Sequence, residues 1–290
     1  MHRYCLTTIL LLMASAAHAE SPPAPAAAPA PPPKWIIAAG DTATLIAGQD
    51  TQPAANVSIT RVIGKGSVEL SGTVSGTSND HAPAGLLPER IVTLALTGTR
   101  QFGHLVLDGH VAAGWATFRQ GILPVSPTTS ALVSSQADGF GVGGGASLNI
   151  SLAKYLILTP RLGIDYAATG VKRTPVDRTA SPDEIETKSD GITLSGGAAL
   201  QSRFGASHQH GFTAMATAMR MTNTSDFIHR TSRVNPVDIK QRSANAFIDY
   251  GVSLSLGLTH RLGIDISATR SAGNNGPEST MIGAGLHVTF

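Results

Sequence analysis

The chain has 290 residues, with 21 Lys and Arg against 19 Asp and Glu and 42% hydrophobic residues, and a balance so close to neutral offers no basic surface to nucleic acid. Its single cysteine is Cys5, so no disulfide, cysteine metal site or thiolate nucleophile is available to the rest of the chain.

At the N-terminus, Arg3 is a short positive region, Leu6 to Met13 form an apolar core too short to span a bilayer, and Ala17-His18-Ala19 is a small-x-small cleavage pattern. Residues 1–19 are therefore expected to be a signal peptide. Residues 20–33 alternate Pro with Ala, a composition that favours extended polyproline II and buries no core, so they are expected to be a periplasmic tether. Residues 34–290 remain for one large domain. No stretch after Met13 approaches the roughly 18 to 20 uninterrupted apolar residues of a membrane helix, so any membrane crossing must be made by strands.

From Val57 onward apolar residues recur at every second position over segments of about 10 to 14 residues, longer than the strands of ordinary soluble sheets. The clearest case sets Phe140, Val142, Gly144, Ala146, Leu148, Ile150 and Leu152 against Gly139, Gly141, Gly143, Gly145, Ser147, Asn149 and Ser151. Another sets Ile248, Tyr250, Val252, Leu254 and Leu256 against Asp249, Gly251, Ser253, Ser255 and Gly257. A greasy face opposite a small, polar one suits a barrel whose outside meets hydrocarbon and whose inside is wet. Short connections near 258–261, 205–210, 153–154 and 101–103 alternate with long ones expected at 222–242, 170–189, 119–138 and 78–89, the layout of outer-membrane barrels. The expected fold is all-β, a transmembrane antiparallel up-and-down β-barrel. Eleven strands begin near Val57, Ser67, Arg90, His104, Gly139, Tyr155, Gly191, Gly211, Ser243, Arg261 and Ser279, and Lys34 to Ala47 supplies a twelfth; ten is the alternative count. Between Gly211 and Met221 neither face is clearly polar, and the pattern does not orient that strand.

The last strand places Ile282, Ala284, Leu286, Val288 and terminal Phe290 on one face. Gly285, Val288 and Phe290 resemble the C-terminal signal read by the barrel assembly machinery, although Gly283 stands where that signal usually carries a polar residue. Leu158-Thr159-Pro160, Leu162, Gly163 and Tyr166, followed by the Gly-rich run from Leu194 to Leu200, resemble the barrel domain of the autotransporter family over about the last 135 residues. The resemblance implies the fold. In that family a pore helix joins barrel to passenger, and the Pro-Ala tether cannot form such a helix because proline breaks it.

Candidate site residues lie on the expected inner face: Glu69, His104, Asp108, His110, Arg161, Asp165, Arg203, Asp249, Arg261, Asp265 and His287. Arg161-Leu162-Gly163-Ile164-Asp165 recurs as Arg261-Leu262-Gly263-Ile264-Asp265, and these charges are expected to form ladders that bridge across the lumen and narrow it, or simply hold the interior shut. His104, Asp108 and His110 share one strand but extend over roughly 20 Å, too far for one metal. Gly139 to Gly144 matches a nucleotide-binding glycine pattern, yet a strand follows it where that pattern needs a helix; lumen glycines that admit side chains from the opposite wall are the simpler reading. No catalytic residue, metal or cofactor is expected. The expected partners are outer-membrane lipid and lipopolysaccharide, met in part by basic loops such as Lys172, Arg173 and Arg178, and the assembly machinery; oligomeric state is not legible. The expected role is that of an outer-membrane protein of a Gram-negative cell acting as a small channel or structural surface protein, not an enzyme. A barrel-borne lipid or peptide hydrolase and a translocator of a separate passenger are the alternatives.

Overall fold

Alternating apolar and small polar side chains favour extended backbone, and an extended segment must find partners for its N–H and C=O groups on both edges. In the computed structural model the twelve strands of the ring do so. Residues 35–46, 51–76, 88–118, 120–126, 129–176, 184–205, 208–231, 237–273 and 278–290 are described; the expected leader at 1–19 and tether at 20–33 lie outside them, as does most of the expected loop at 78–89.

The strands are β1 Trp35–Ile46, β2 Gln52–Ile63, β3 Gly66–Gly76, β4 Pro88–Phe102, β5 Leu105–Phe118, β6 Gly121–Ser126, β7 Thr129–Leu148, β8 Ile150–Ala153, β9 Leu156–Pro175, β10 Glu184–Phe204, β11 His210–Thr231, β12 Val237–Gly257, β13 Leu262–Gly273 and β14 Ser279–Thr289. Two of these are continuations. β6 follows β5 along the same partner, Thr117↔Gln136 giving way to Gly121↔Val133, and β8 resumes β7 beyond Asn149 against β9. β14 pairs with β1 and β7 pairs with β9, so the ladder closes as a ring of twelve antiparallel strands. The expected twelve is the number observed.

Closure fixes which way each side chain points. Val57, Leu70, Leu96, Val111, Val142, Ile164, Leu194, Val252, Ile266 and Leu286 all stand exposed on the outer wall, a contiguous apolar belt that a water-facing surface would not carry. Aromatic rings border the belt. Near the short turns, Arg61 lies 5.3 Å over the Trp35 ring, Arg100 5.7 Å over Phe102 and Lys154 5.1 Å over Tyr155, each an amphipathic pair suited to a head-group boundary. At the other border Phe140 and Tyr166 meet at 5.8 Å. Strand β11, which the pattern does not orient, turns Phe212 and its alanines outward with Ile248 and Val252, and turns Thr217, Met219 and Met221 inward.

Both described termini sit at the short-turn end, where Trp35 and Phe290 exchange backbone hydrogen bonds of 3.4 and 2.9 Å. At the opposite end the expected loops at 119–138, 170–189 and 222–242 are largely continued ladder, with β11 and β12 running 22 and 21 residues. The reason is physical: above the lipid neither face needs to be apolar, so the two-residue period fades from the sequence while the backbone pairing continues.

The closing seam is tight. Gly40 on β1 faces Gly285 on β14, and a Cβ at Gly40 would lie 2.7 Å from the Ala284 carbonyl oxygen and 3.0 Å from the Gly285 Cα. Backbone cannot step aside as a side chain can, so Gly40→Val is expected to cost roughly 1–3 kcal/mol. It should lower the temperature at which the fast-migrating, unboiled band of the folded barrel disappears on a gel, whereas the outward Ala39→Val should leave it in place.

Candidate functional site: the lumen

Strands β5, β7 and β9 form one stretch of wall, and from Gly139 to Gly145 the middle one offers no side chains inward. Gly139, Gly141, Gly143 and Gly145 of β7 leave a bare trough between the inward residues of its neighbours. Side chains from β5 and β9 reach across it to each other. Arg161 Nη2 donates to Asp108 Oδ2 at 2.7 Å, and His110 Nε2 lies 3.3 Å from Asp165 Oδ1. A Cβ at Gly145 would come within 3.1 Å of Asp108 Oδ1 and 3.2 Å of Arg161 Nε, and a Cβ at Gly143 would strike both Asp165 and His110. The glycines thus serve the adjacent strands and not, as the sequence suggests, side chains from the opposite wall.

Half-way round the ring a smaller clasp repeats the device. His287 Nδ1 on β14 is 2.6 Å from Asp265 Oδ2 on β13, and its ring fills the space in which Gly263 would carry a Cβ. Asp249 accepts from Ser271 Oγ at 2.5 Å, and Glu69 accepts from Thr60 Oγ1 at 3.0 Å. Each of these contacts runs along the wall, between adjacent strands or across the single strand β7. None of these named pairs bridges the lumen. A side chain lying flat on a twisted wall reaches a neighbour two strands away, about 10 Å, more readily than it spans the bore.

Two candidates are not inward at all. His104 lies in the β4–β5 turn, exposed, and gives its carbonyl to the Asn149 amide; Asp108 and His110 are the inward pair of that segment. Arg261 lies in the β12–β13 turn, where its carbonyl accepts from the Thr289 amide. The two Arg-Leu-Gly-Ile-Asp copies are therefore not equivalent: β9 begins at Leu156 and carries Arg161 well into the lumen, whereas β13 begins only at Leu262. Arg203 sits near the short-turn end of β10. Gly285, Val288 and Phe290 are in place on β14 and the rim, with Phe290 turned outward.

The sequence does not disclose the character of the other half of the lumen. At the end of the tall hairpins, Ile91, Ala116, Phe118, Ala137 and Val171, all inward on β4, β5, β7 and β9, form a buried apolar cluster. Ser135 and Thr169 beside it are buried with hydroxyls that find no hydrogen-bond partner. The interior therefore runs from a charged, half-buried part nearer the short turns to a buried patch on four adjacent strands, apolar at Phe118 and Val171 with buried Thr93, Ser135 and Thr169 beside them. Signals for the patch are weak because Phe118 and Val171 lie at the ends of the periodic segments, where the pattern is fading.

A closed twelve-stranded antiparallel ring with an apolar outer belt and a polar inner wall has the fold of an outer-membrane β-barrel, of the kind that forms autotransporter translocator domains. The translocator domain of the autotransporter NalP from Neisseria meningitidis superposes with a TM-score of 0.63 at 9% identity, over 98% of this chain and 95% of that one. The beta domain of the Bordetella autotransporter BrkA gives 0.52 at 12% identity, over 89% of this chain and 100% of that one. A deletion mutant of the monoaromatic hydrocarbon channel TodX gives 0.51 at 11% identity, over 90% and 91%. The chain matches no protein-family model and no curated protein. At such identities the likeness is one of fold.

The Asp108 side chain is 5% exposed and its partner Arg161 29%, so removing the guanidinium strands a buried carboxylate. Arg161→Met is expected to destabilise the folded barrel by on the order of 2–3 kcal/mol. The double change Arg161→Met with Asp108→Asn should recover about half of that loss. Urea-induced unfolding in detergent, followed by loss of the fast-migrating band, measures both.

Proposed function

We propose that the protein is an integral outer-membrane protein whose lumen is a small water-filled channel, with the tall hairpins outside the cell and the termini in the periplasm. The observation that carries this reading is the wall-hugging course of the ionisable side chains. Asp108 with Arg161, His110 with Asp165 and Asp265 with His287 pair along the wall between strands that are adjacent or one apart, a course that supports an open bore. The buried apolar patch around Phe118 on β4, β5, β7 and β9 is then one side of the narrow point, because apolar groups lining a constriction resist hydrated ions. Gly285, Val288 and Phe290 are the segment the assembly machinery would engage. No catalytic step is proposed.

The test is conductance. Purified protein in a planar bilayer is expected to give discrete steps, and Phe118→Ala is expected to enlarge each step by about twofold or more, as a wider and wetter constriction requires. A folded barrel that stays electrically silent in both forms would instead assign it the structural surface role.

A further inference from the structure

One corner of the short-turn border is basic, with no acid beside it on the outer wall. Arg61 on β2 and Arg100 on β4 both face outward and are exposed, and the turn from β2 to β3 carries exposed Lys65 between them. The Lys65 carbonyl accepts from the Gln101 amide at 2.8 Å, which ties that turn to β4 beside Arg100. β2 and β3 contain one carboxylate side chain, Glu69, which turns inward to Thr60, and the acid of β4, Glu89, lies at its far end. The carboxylate of Phe290 is on the other side of β1 from Arg61. Among the described residues no hydrogen bond or ion pair reaches the side chains of Arg61, Lys65 or Arg100.

The rings beside them fix the level at which these cations act. Arg61 lies over Trp35 and Arg100 over Phe102, aromatic residues of the boundary girdle, and so at the height of head groups. Each ring covers one face of its guanidinium and leaves the N–H edge, the part that binds a phosphate oxygen. Arg61 and Arg100 are two strands apart, roughly 10 Å. On the strand between them Gly66 pairs with Ile63 and with Arg100, and a Cβ there would strike the Thr99 carbonyl, so the ground between the cations stays bare.

A shallow trough leads from this corner into the apolar belt. On the outer face Gly98 of β4 pairs with Gly109 of β5, one step above Arg100. Exposed Leu96 and Val111 border the pair on one side and exposed Leu107 on the other. Nothing lies within 4 Å of a Cβ placed at Gly98, and at Gly109 the nearest atom is the Gly143 carbonyl oxygen at 3.6 Å. Packing within the barrel therefore does not call for glycine at either position, and such strand glycines are typical of places where a ligand approaches the backbone.

We infer that this corner binds one anionic glycerophospholipid of the leaflet on the short-turn side, the periplasmic leaflet in the orientation proposed above. Its phosphodiester meets Arg61, Lys65 and Arg100 over Gly66, and an acyl chain lies along Gly98 and Gly109. A zwitterionic head group brings its own ammonium, for which the corner holds no carboxylate side chain, and is the weaker ligand. The site rests on the outer-membrane reading and adds which lipid is held at which point of the wall.

The experiment uses the protein extracted from membranes in detergent, titrated with phosphatidylglycerol, phosphatidylethanolamine or lipid A and weighed intact by native mass spectrometry. One phosphatidylglycerol per barrel is expected to stay bound, and Arg61→Gln and Arg100→Gln are each expected to weaken its retention about fivefold. Arg220→Gln removes an outward cation on β11, far from the corner, and is expected to leave retention unchanged. Phosphatidylethanolamine should be held no better than phosphatidylglycerol is by the double variant. Equal retention of the two glycerophospholipids, no loss in the Arg61 and Arg100 variants, an equal loss in Arg220→Gln, or tighter retention of lipid A at the same arginines would overturn the site. Every variant must keep the boiling shift on gels. Absence of that shift in the unaltered protein removes the barrel reading itself, whereas its presence without selective retention removes only the site.

Discussion

Closure of the backbone ladder is the constraint on which everything else depends. In hydrocarbon there is no water to satisfy an exposed strand edge, so a sheet survives only if its last strand finds its first. Here β14 meets β1 over eleven residue pairs from Ile36↔Thr289 to Ile46↔Ser279. That register sends Ile37, Ala39 and Leu45 outward and Ala38, Gly40 and Thr42 inward; a slip of one residue would exchange the two sets and turn the belt inside out. The Gly40–Gly285 pair marks where the seam tolerates nothing larger.

Given closure, the curvature of a narrow barrel decides how the lumen is filled. Inward side chains crowd as the wall bends, and the chain relieves this by leaving every inward position of β7 from Gly139 to Gly145 without a side chain. The vacancy is taken by neighbours, which reach over it in charged pairs. One short glycine run thus relieves crowding and positions Asp108, His110, Arg161 and Asp165. The same logic at Gly263 seats His287 on Asp265. In both places the charged pairs rest on the wall.

The two ends of the lumen differ in a way that follows from where lipid stops. Inside the belt the outward positions must be apolar, so water and charge are confined to the inward ones. Above it that division lapses, and the tall hairpins bury Ile91, Phe118 and Val171 inward while exposing polar groups outward. Asp41, outward on β1, is the exception on the outer wall, a charge placed where the pattern calls for an apolar residue.

The all-β class, the twelve strands, the apolar outer face and the inward setting of Glu69, Asp108, Asp165, Asp249 and Asp265 were legible in the amino-acid sequence, because a two-residue period is a local property that lipid on one side and water on the other impose strand by strand. The autotransporter-like fold was legible too, through Leu158-Thr159-Pro160, Leu162, Gly163 and Tyr166 and the Gly-rich run from Leu194 to Leu200. Who touches whom was not. The pairing of Asp108 with Arg161, 53 residues away, the placement of His104 and Arg261 in turns, the buried patch at Phe118 and the basic corner of Arg61, Lys65 and Arg100 depend on register between strands. Register is set by how the whole ring closes, and no single segment contains it.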